Sequence, residues 1–139
     1  MCRTREGALQ TLLVIFMALV AGAAAAQAGE AEAVAGDLLS EAGVKGGLVV
    51  HVGCGNGRLT AALRRDSSFL VQGLATDPEA VEQAREHVES LGLYGEVSVM
   101  QWDGKRLPYA DNLVNLLVVE TDGVSNQEIM RVLSPGGTA

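Results

Sequence analysis

Five residues, Gly53-Cys54-Gly55-Asn56-Gly57, constrain this chain more than any others. They follow directly on an apolar run, Leu48-Val49-Val50-His51-Val52, and lead into a stretch, Arg58 to Arg65, that reads as a helix. Glycines between a strand and a helix let the backbone turn sharply and let a ligand approach amides that a Cβ would shield. The first amides of a helix also lack intrahelical acceptors, so such a junction suits a nucleotide-type ligand. A dinucleotide loop of the form G-x-G-x-x-G would place its third glycine at position 58, where Arg58 stands, and this argues against NAD.

The rest of the chain supplies the frame for such a loop. Leu48 to Val52 lacks polar alternation, as expected of a parallel strand covered on both faces. Phe69 to Leu74, Glu96 to Met100 and Leu113 to Val119 read as three further strands. Helices are expected over Glu30 to Ala42, Pro78 to Leu91 and Gln127 to Leu133; in the second, Val81, Ala84, Val88 and Leu91 recur at spacings of three and four. Strands alternating with helices predict an α/β fold with a doubly wound, mostly parallel sheet. Pro135-Gly136-Gly137 reads as a turn, so the sheet is expected to be truncated after about four strands, with the fourth as a bare edge.

The N-terminus has a different character. Arg3 and Arg5 precede an unbroken apolar stretch, Leu12 to Ala21, followed by small residues that end in Ala26-Gln27-Ala28. That is the layout of a secretory signal peptide, so residues 1–28 are expected to be removed and the protein exported to the periplasm or beyond the cell. The apolar stretch is short for a bilayer span of roughly 20 residues, and no stable membrane span is expected after cleavage. Residues 29–45 then form an N-terminal helix and linker, and residues 46–139 a partial domain. Cleavage would leave Cys54 as the remaining cysteine, which excludes an intrachain disulfide. With 17 acidic residues against 10 basic ones and a formal charge of −7, nucleic acid is not an expected partner. No Cys/His set has metal-ligand spacing.

The glycine loop in this setting resembles the first motif of the class I, Rossmann-like, S-adenosylmethionine-dependent methyltransferases. The likeness continues through LVVHVGCGNGRLTAAL, GLATDPEAVEQAR, WDGKRLPYADNLVNLLVVE and EIMRVLSPGGTA, in the family's order, over about residues 46–139. SLGLYGEVSV and DGKRLPYADNLVNLLVVE are similar, more narrowly, to methyltransferase-like domains at the N-terminal end of exported bacterial proteins that continue into a pyrroloquinoline-quinone-type β-propeller. The resemblance implies S-adenosylmethionine as cofactor and a small-molecule or protein methyl acceptor that the sequence does not identify. It places the loop residues Gly53, Cys54, Gly55, Asn56 and Gly57 against the cofactor, with Asp103 and Gly104 after the third strand at its adenine. Asp103 is equally suited to cap a turn with Gly104. Trp102 beside it either walls the adenine pocket or fills the edge of the sheet.

Two positions depart from the family pattern. The acid expected two residues before the first glycine is His51, and the acid expected at the end of the second strand, where it would grip the ribose hydroxyls, is Ala75. Asp77, two residues on, is within reach of the ribose if the strand ends late, although Asp77-Pro78 also reads as a helix N-cap followed by proline at the first helical position. A methyl group cannot replace a carboxylate that accepts two hydroxyl hydrogen bonds. The sequence therefore supports two functions: an S-adenosylmethionine-dependent methyltransferase, or a degenerate, non-catalytic methyltransferase-like domain of an exported protein. No general base stands out, and Glu120, at the end of the fourth strand, points to where a substrate would lie.

Overall fold

A computed structural model describes residues 25–139 of the chain. A helix over residues 25–42, α1, leads into β1 (Gly47–Val52), α2 (Arg58–Ala62), β2 (Phe69–Ala75), α3 (Pro78–Ser90), β3 (Val97–Gln101), β4 (Val114–Val119), α4 (Asn126–Val132) and β5 (Leu133–Thr138). All neighbouring strands pair in parallel, in the order β3-β2-β1-β4-β5. This is the doubly wound sheet expected from the alternation of strands and helices.

The sheet is apolar on both faces because helices cover both. On one face, Val49, Val71, Val97 and Val99 pack with Ala35 and Leu39 of α1, Ala61 of α2, and Val81, Ala84 and Val88 of α3. On the other, Val50, Val52, Leu74, Val114 and Leu117 meet Val132 of α4 together with Trp102 and Leu107 from the segment between β3 and β4. Trp102 therefore fills the core, with its Nε1 donating to the Arg106 carbonyl at 2.8 Å. That segment is tied to α4 by Arg131, which donates to the carbonyls of Leu107 (3.0 Å) and Tyr109 (2.8 Å) and also pairs with Glu128 and Asp111.

Local chemistry sets the helix ends. Asp77 accepts from the Glu79 amide at 3.1 Å and Pro78 opens α3, so the cap reading of Asp77-Pro78 is the one observed. In α2 the expected extension to Arg65 is lost: the Arg64 amide already turns to the Ala61 carbonyl, and Asp66 then draws the Ser68 and Phe69 amides into a turn.

The bare fourth edge is overturned. Leu133 follows α4 without a loop and starts β5, whose register with β4 runs from Val114↔Leu133 to Leu116↔Thr138 across an irregularity. The sheet thus has five strands. Proline lacks a donor and glycines bend freely, so Pro135-Gly136-Gly137 forms a bulge within an edge strand, where such residues are tolerated. Asn115 links three strands, accepting from the Leu48 amide at 2.9 Å and donating to Ser134 Oγ at 3.3 Å.

Residues 1–24, with most of the expected signal peptide, lie outside the described residues. Residues 25–28, including the expected cleavage site, are helical and continuous with the rest of α1. Among the described residues no helix is long and apolar enough to cross a membrane.

Candidate functional site

The order of strands reverses direction at β1, whose neighbours β2 and β4 lead to opposite halves of the sheet. In open parallel sheets a crevice forms at the carboxyl ends of the strands at such a point, and ligands bind there. The glycine loop occupies that position. Parallel pairing brings every expected site residue to the same edge of the sheet: the loop after β1, Asp77 after β2, Asp103 and Gly104 after β3, and Glu120 after β4.

The loop is held from beneath and open above. The amides of Gly53 and Cys54 both donate to the Leu74 carbonyl, at 2.8 and 3.2 Å, and the Gly57 amide donates to the Cys54 carbonyl at 2.8 Å. Asn56 Oδ1 accepts from the Arg58 amide at 3.1 Å. Among the described residues, the amides of Gly55 and Asn56 donate to no protein acceptor, and both residues are exposed. The expectation that the whole pentapeptide presents its amides to a ligand is thereby narrowed to its middle two residues; the others fix the turn.

Close approach requires glycine at position 57 and leaves little room at position 53. A Cβ on Gly57, whose φ is +78°, would stand 2.9 Å from both Cα and Cβ of Ala84 in α3. A Cβ on Gly53 would stand 3.4 Å from the carbonyl carbon of Glu120 and 3.3 Å from Thr121 Cβ, so this glycine lets the end of β4 close against the loop.

Cys54 turns its side chain away from the open side of the loop. Its side chain is buried and packs beneath Gly73, and its amide is engaged by Leu74. Burial pushes the thiol up to about 11, so it is neither a thiolate nor a nucleophile at neutral pH. Asp103 is exposed and accepts from the Lys105 amide at 3.0 Å, which makes it the cap of its own turn with one carboxylate oxygen still open. Gly104 lies against Thr76, bringing the turn after β3 next to the end of β2. Ala75 is 6% exposed and belongs to the core beneath α3.

The sequence reading missed how His51 is used. It is 1% exposed, with Nδ1 2.8 Å from Thr60 Oγ1 and Nε2 3.5 Å from Glu120 Oε2. Thr60 is nine residues away in α2 and Glu120 follows β4, so the pairing of β1 with β4 and the folding of α2 against β1 together bring the three side chains into contact. Burial pulls the imidazole below its ordinary value of 6.5, against the opposing pull of the Glu120 carboxylate. The unfolded chain then binds the proton more readily than the folded one. His51 leaves stability untouched above about pH 6.5 and lowers it as pH falls from there towards the folded value. We expect the His51 ring to titrate below 6.5 by NMR. A His51→Asn variant is expected to show a shallower loss of stability than wild type over that interval; parallel curves would contradict this assignment.

A cleft of about 300 Å³ lies at the loop, lined by Gln27, Glu30 and Val34 of α1 together with Asn56, Leu59 and Glu120. Arg58 Nη1 donates to Gln27 Oε1 at 2.7 Å, fastening α1 over the loop. A larger groove of about 780 Å³ runs between α1, α2 and α3. Among the described residues no group of three or more His, Cys, Asp or Glu side chains could hold a metal.

Residues 49–137 match the sequence profile of the methyltransferase domain. The chain belongs to that family. It is 36% identical over 97 residues to methyltransferase GfsG of Streptomyces halstedii, covering 64% of this chain and 34% of that protein. A structure from Methanococcus maripaludis, described as an S-adenosylmethionine-dependent methyltransferase, superposes with a TM-score of 0.69 at 25% identity, over 77% of this chain and 52% of the other. An S-adenosylmethionine-dependent methyltransferase from Aquifex aeolicus gives 0.64 at 26% identity, over 73% and 58%. The chain spans between a third and two fifths of the length of the curated relatives it matches. The methyltransferase-domain matches agree with the resemblance carried by the glycine loop and the motifs after it, and the neighbours share the Rossmann-like sheet.

Proposed function

We propose that this chain is the cofactor-binding part of an S-adenosylmethionine-dependent methyltransferase whose methyl acceptor is recognised elsewhere. The observation that carries this reading is the pair of free amides, Gly55 and Asn56, in a glycine loop at the switch point of the sheet. A glycine turn with open donors at Gly55 and Asn56, beside a cleft that Asn56 lines, fits a nucleoside-bearing amino acid.

When bound, S-adenosylmethionine would supply an electrophilic sulfonium methyl group, open to in-line attack by an acceptor with S-adenosylhomocysteine as the leaving thioether. This chain's residues hold and orient. Gly55 and Asn56 offer amide donors, Asp103 offers a free carboxylate oxygen to an exocyclic amine, and α1 lines one side of the cleft beside the loop. Such a displacement needs alignment more than side-chain chemistry, so the absence of an assignable base is no obstacle. We further propose that the protein is exported by way of residues 1–28 and precedes a quinoprotein-type propeller, a reading supported by the charge and apolar layout of the N-terminus and by the narrower sequence resemblance.

Isothermal titration of the full chain with S-adenosylmethionine and S-adenosylhomocysteine tests the cofactor. Saturable binding of both is expected, and no heat with either at millimolar ligand would remove the proposal. A second reading, a degenerate domain that has lost the cofactor, is favoured by Ala75, where the core shows a methyl group and no acid.

A further inference from the structure

The segment between β3 and β4, residues 102–113, carries the turn Asp103-Gly104 yet has no strand or helix of its own to hold it. A buried backbone outside regular structure still needs partners for its amides and carbonyls. Leu107 is 1% exposed, and α4 supplies partners for both of its backbone groups. Its amide donates to Glu128 Oε1 at 3.1 Å, and its carbonyl accepts from Arg131 Nη2 at 3.0 Å. Glu128 and Arg131 stand three residues apart on α4 and pair with each other, with Arg131 Nε 3.1 Å from both carboxylate oxygens. The pair gives Leu107 a donor and an acceptor, as a neighbouring strand would. Arg131 Nη1 reaches further along the segment, donating to the Tyr109 carbonyl at 2.8 Å and to Asp111 Oδ1 at 2.7 Å.

This clamp holds the far end of the turn. At the near end the Trp102 amide donates to the Ala75 carbonyl at 2.9 Å, which fixes the chain to the end of β2. The Trp102 indole then donates to the Arg106 carbonyl at 2.8 Å, so residues 102–106 form a closed loop that contains Asp103 and Gly104. Asp103 makes one hydrogen bond among the described residues, to the Lys105 amide inside the same loop. The direction of its open carboxylate oxygen is therefore set by the loop as a whole, and the loop is anchored at Trp102 and at Leu107. Neither Glu128 nor Arg131 lines the cleft at the glycine loop, so the pair acts through the segment it holds. Resting on the cofactor reading above, we propose that Arg131, held by Glu128, is a positioning residue that aims Asp103 at the exocyclic amine of the cofactor's adenine.

The inference is tested with two ligands that differ in that amine. S-adenosylhomocysteine carries it; S-inosylhomocysteine has a carbonyl in its place. Both are titrated calorimetrically into the full wild-type chain and into Arg131→Lys, which keeps the charge opposite Glu128 but loses the fork that reaches several acceptors at once. Wild type is expected to prefer S-adenosylhomocysteine by about 10-fold or more, as a hydrogen bond to a charged group allows. Arg131→Lys is expected to reduce that preference to within about threefold, mainly by weakening S-adenosylhomocysteine. A residue that only supports the fold would lower stability and leave the ratio of the two affinities where it was. Glu128→Gln, an isosteric change, is expected to lower the same ratio in the same direction and serves where Arg131→Lys does not fold. Asp103→Asn keeps an acceptor for the Lys105 amide and is expected to lose the preference on its own, with no further loss when combined with Arg131→Lys. An unchanged ratio in both α4 variants, or losses that add in the double variant, would overturn the assignment. Wild type that binds both ligands equally overturns it while leaving the cofactor reading intact. Wild type that binds neither removes the cofactor reading itself, and this assignment with it.

Discussion

Gly57→Ala is expected to destabilise the domain by about 2–5 kcal/mol, a large share of the roughly 5–15 kcal/mol that holds a small domain together. Two costs add. An alanine held at a φ of +78° carries the left-handed penalty of about 1–2 kcal/mol. Its methyl would also sit 2.9 Å from the backbone of Ala84, and a helix backbone cannot move aside as a side-chain tip can, which adds about 1–3 kcal/mol of overpacking. Gly55→Ala is the matched control. Its φ is +50° but the nearest atom to its Cβ is 4.0 Å away, so only the left-handed penalty of about 1–2 kcal/mol applies. Urea denaturation of the two variants should separate them clearly. Similar midpoints would mean that α3 does not pack against the loop as described. Gly55→Ala is also expected to retain the fold while losing cofactor affinity, because its methyl lies beside the open amides.

Ala75→Asp is expected to act in opposite directions on stability and on binding. The position is 6% exposed at the end of β2, where an added carboxylate loses its hydration, and the cost is about 1–3 kcal/mol. A cofactor ribose would supply two hydroxyl donors to it. Restoring those bonds is expected to tighten S-adenosylhomocysteine at least 10-fold and to recover the lost stability when ligand is present. Calorimetry and thermal unfolding with and without ligand measure both. Lower stability with unchanged affinity would show that the ribose does not lie at the end of β2. If wild type already binds as tightly as the variant, the degenerate reading loses its main support.

What could be read from the sequence was local or periodic. The glycine loop lies between strand and helix as its neighbours dictate, and Asp77-Pro78 caps α3 because both residues carry that chemistry in their own side chains. The valine-rich runs became strands covered on both faces. Pro135-Gly136-Gly137 misled because turn residues within an edge strand look the same in sequence as a turn between strands; β5 forms because Val114 and Leu116 offer it a partner. The middle of the candidate site was hidden for a different reason. His51, Thr60 and Glu120 meet only when β1 and β4 pair and α2 folds over them, and no spacing along the chain encodes that meeting. Even the loop was only half legible, since its glycines announce a turn but not which amides the turn leaves open.

The central claim is that the middle of this loop receives the cofactor, and backbone amide shifts during titration with S-adenosylhomocysteine test it most directly. The expected result is saturable shifts largest at Gly55 and Asn56, with smaller ones at Asp103, Gly104 and Glu120. No shifts at millimolar ligand, or shifts confined to the groove between α1, α2 and α3, would contradict it.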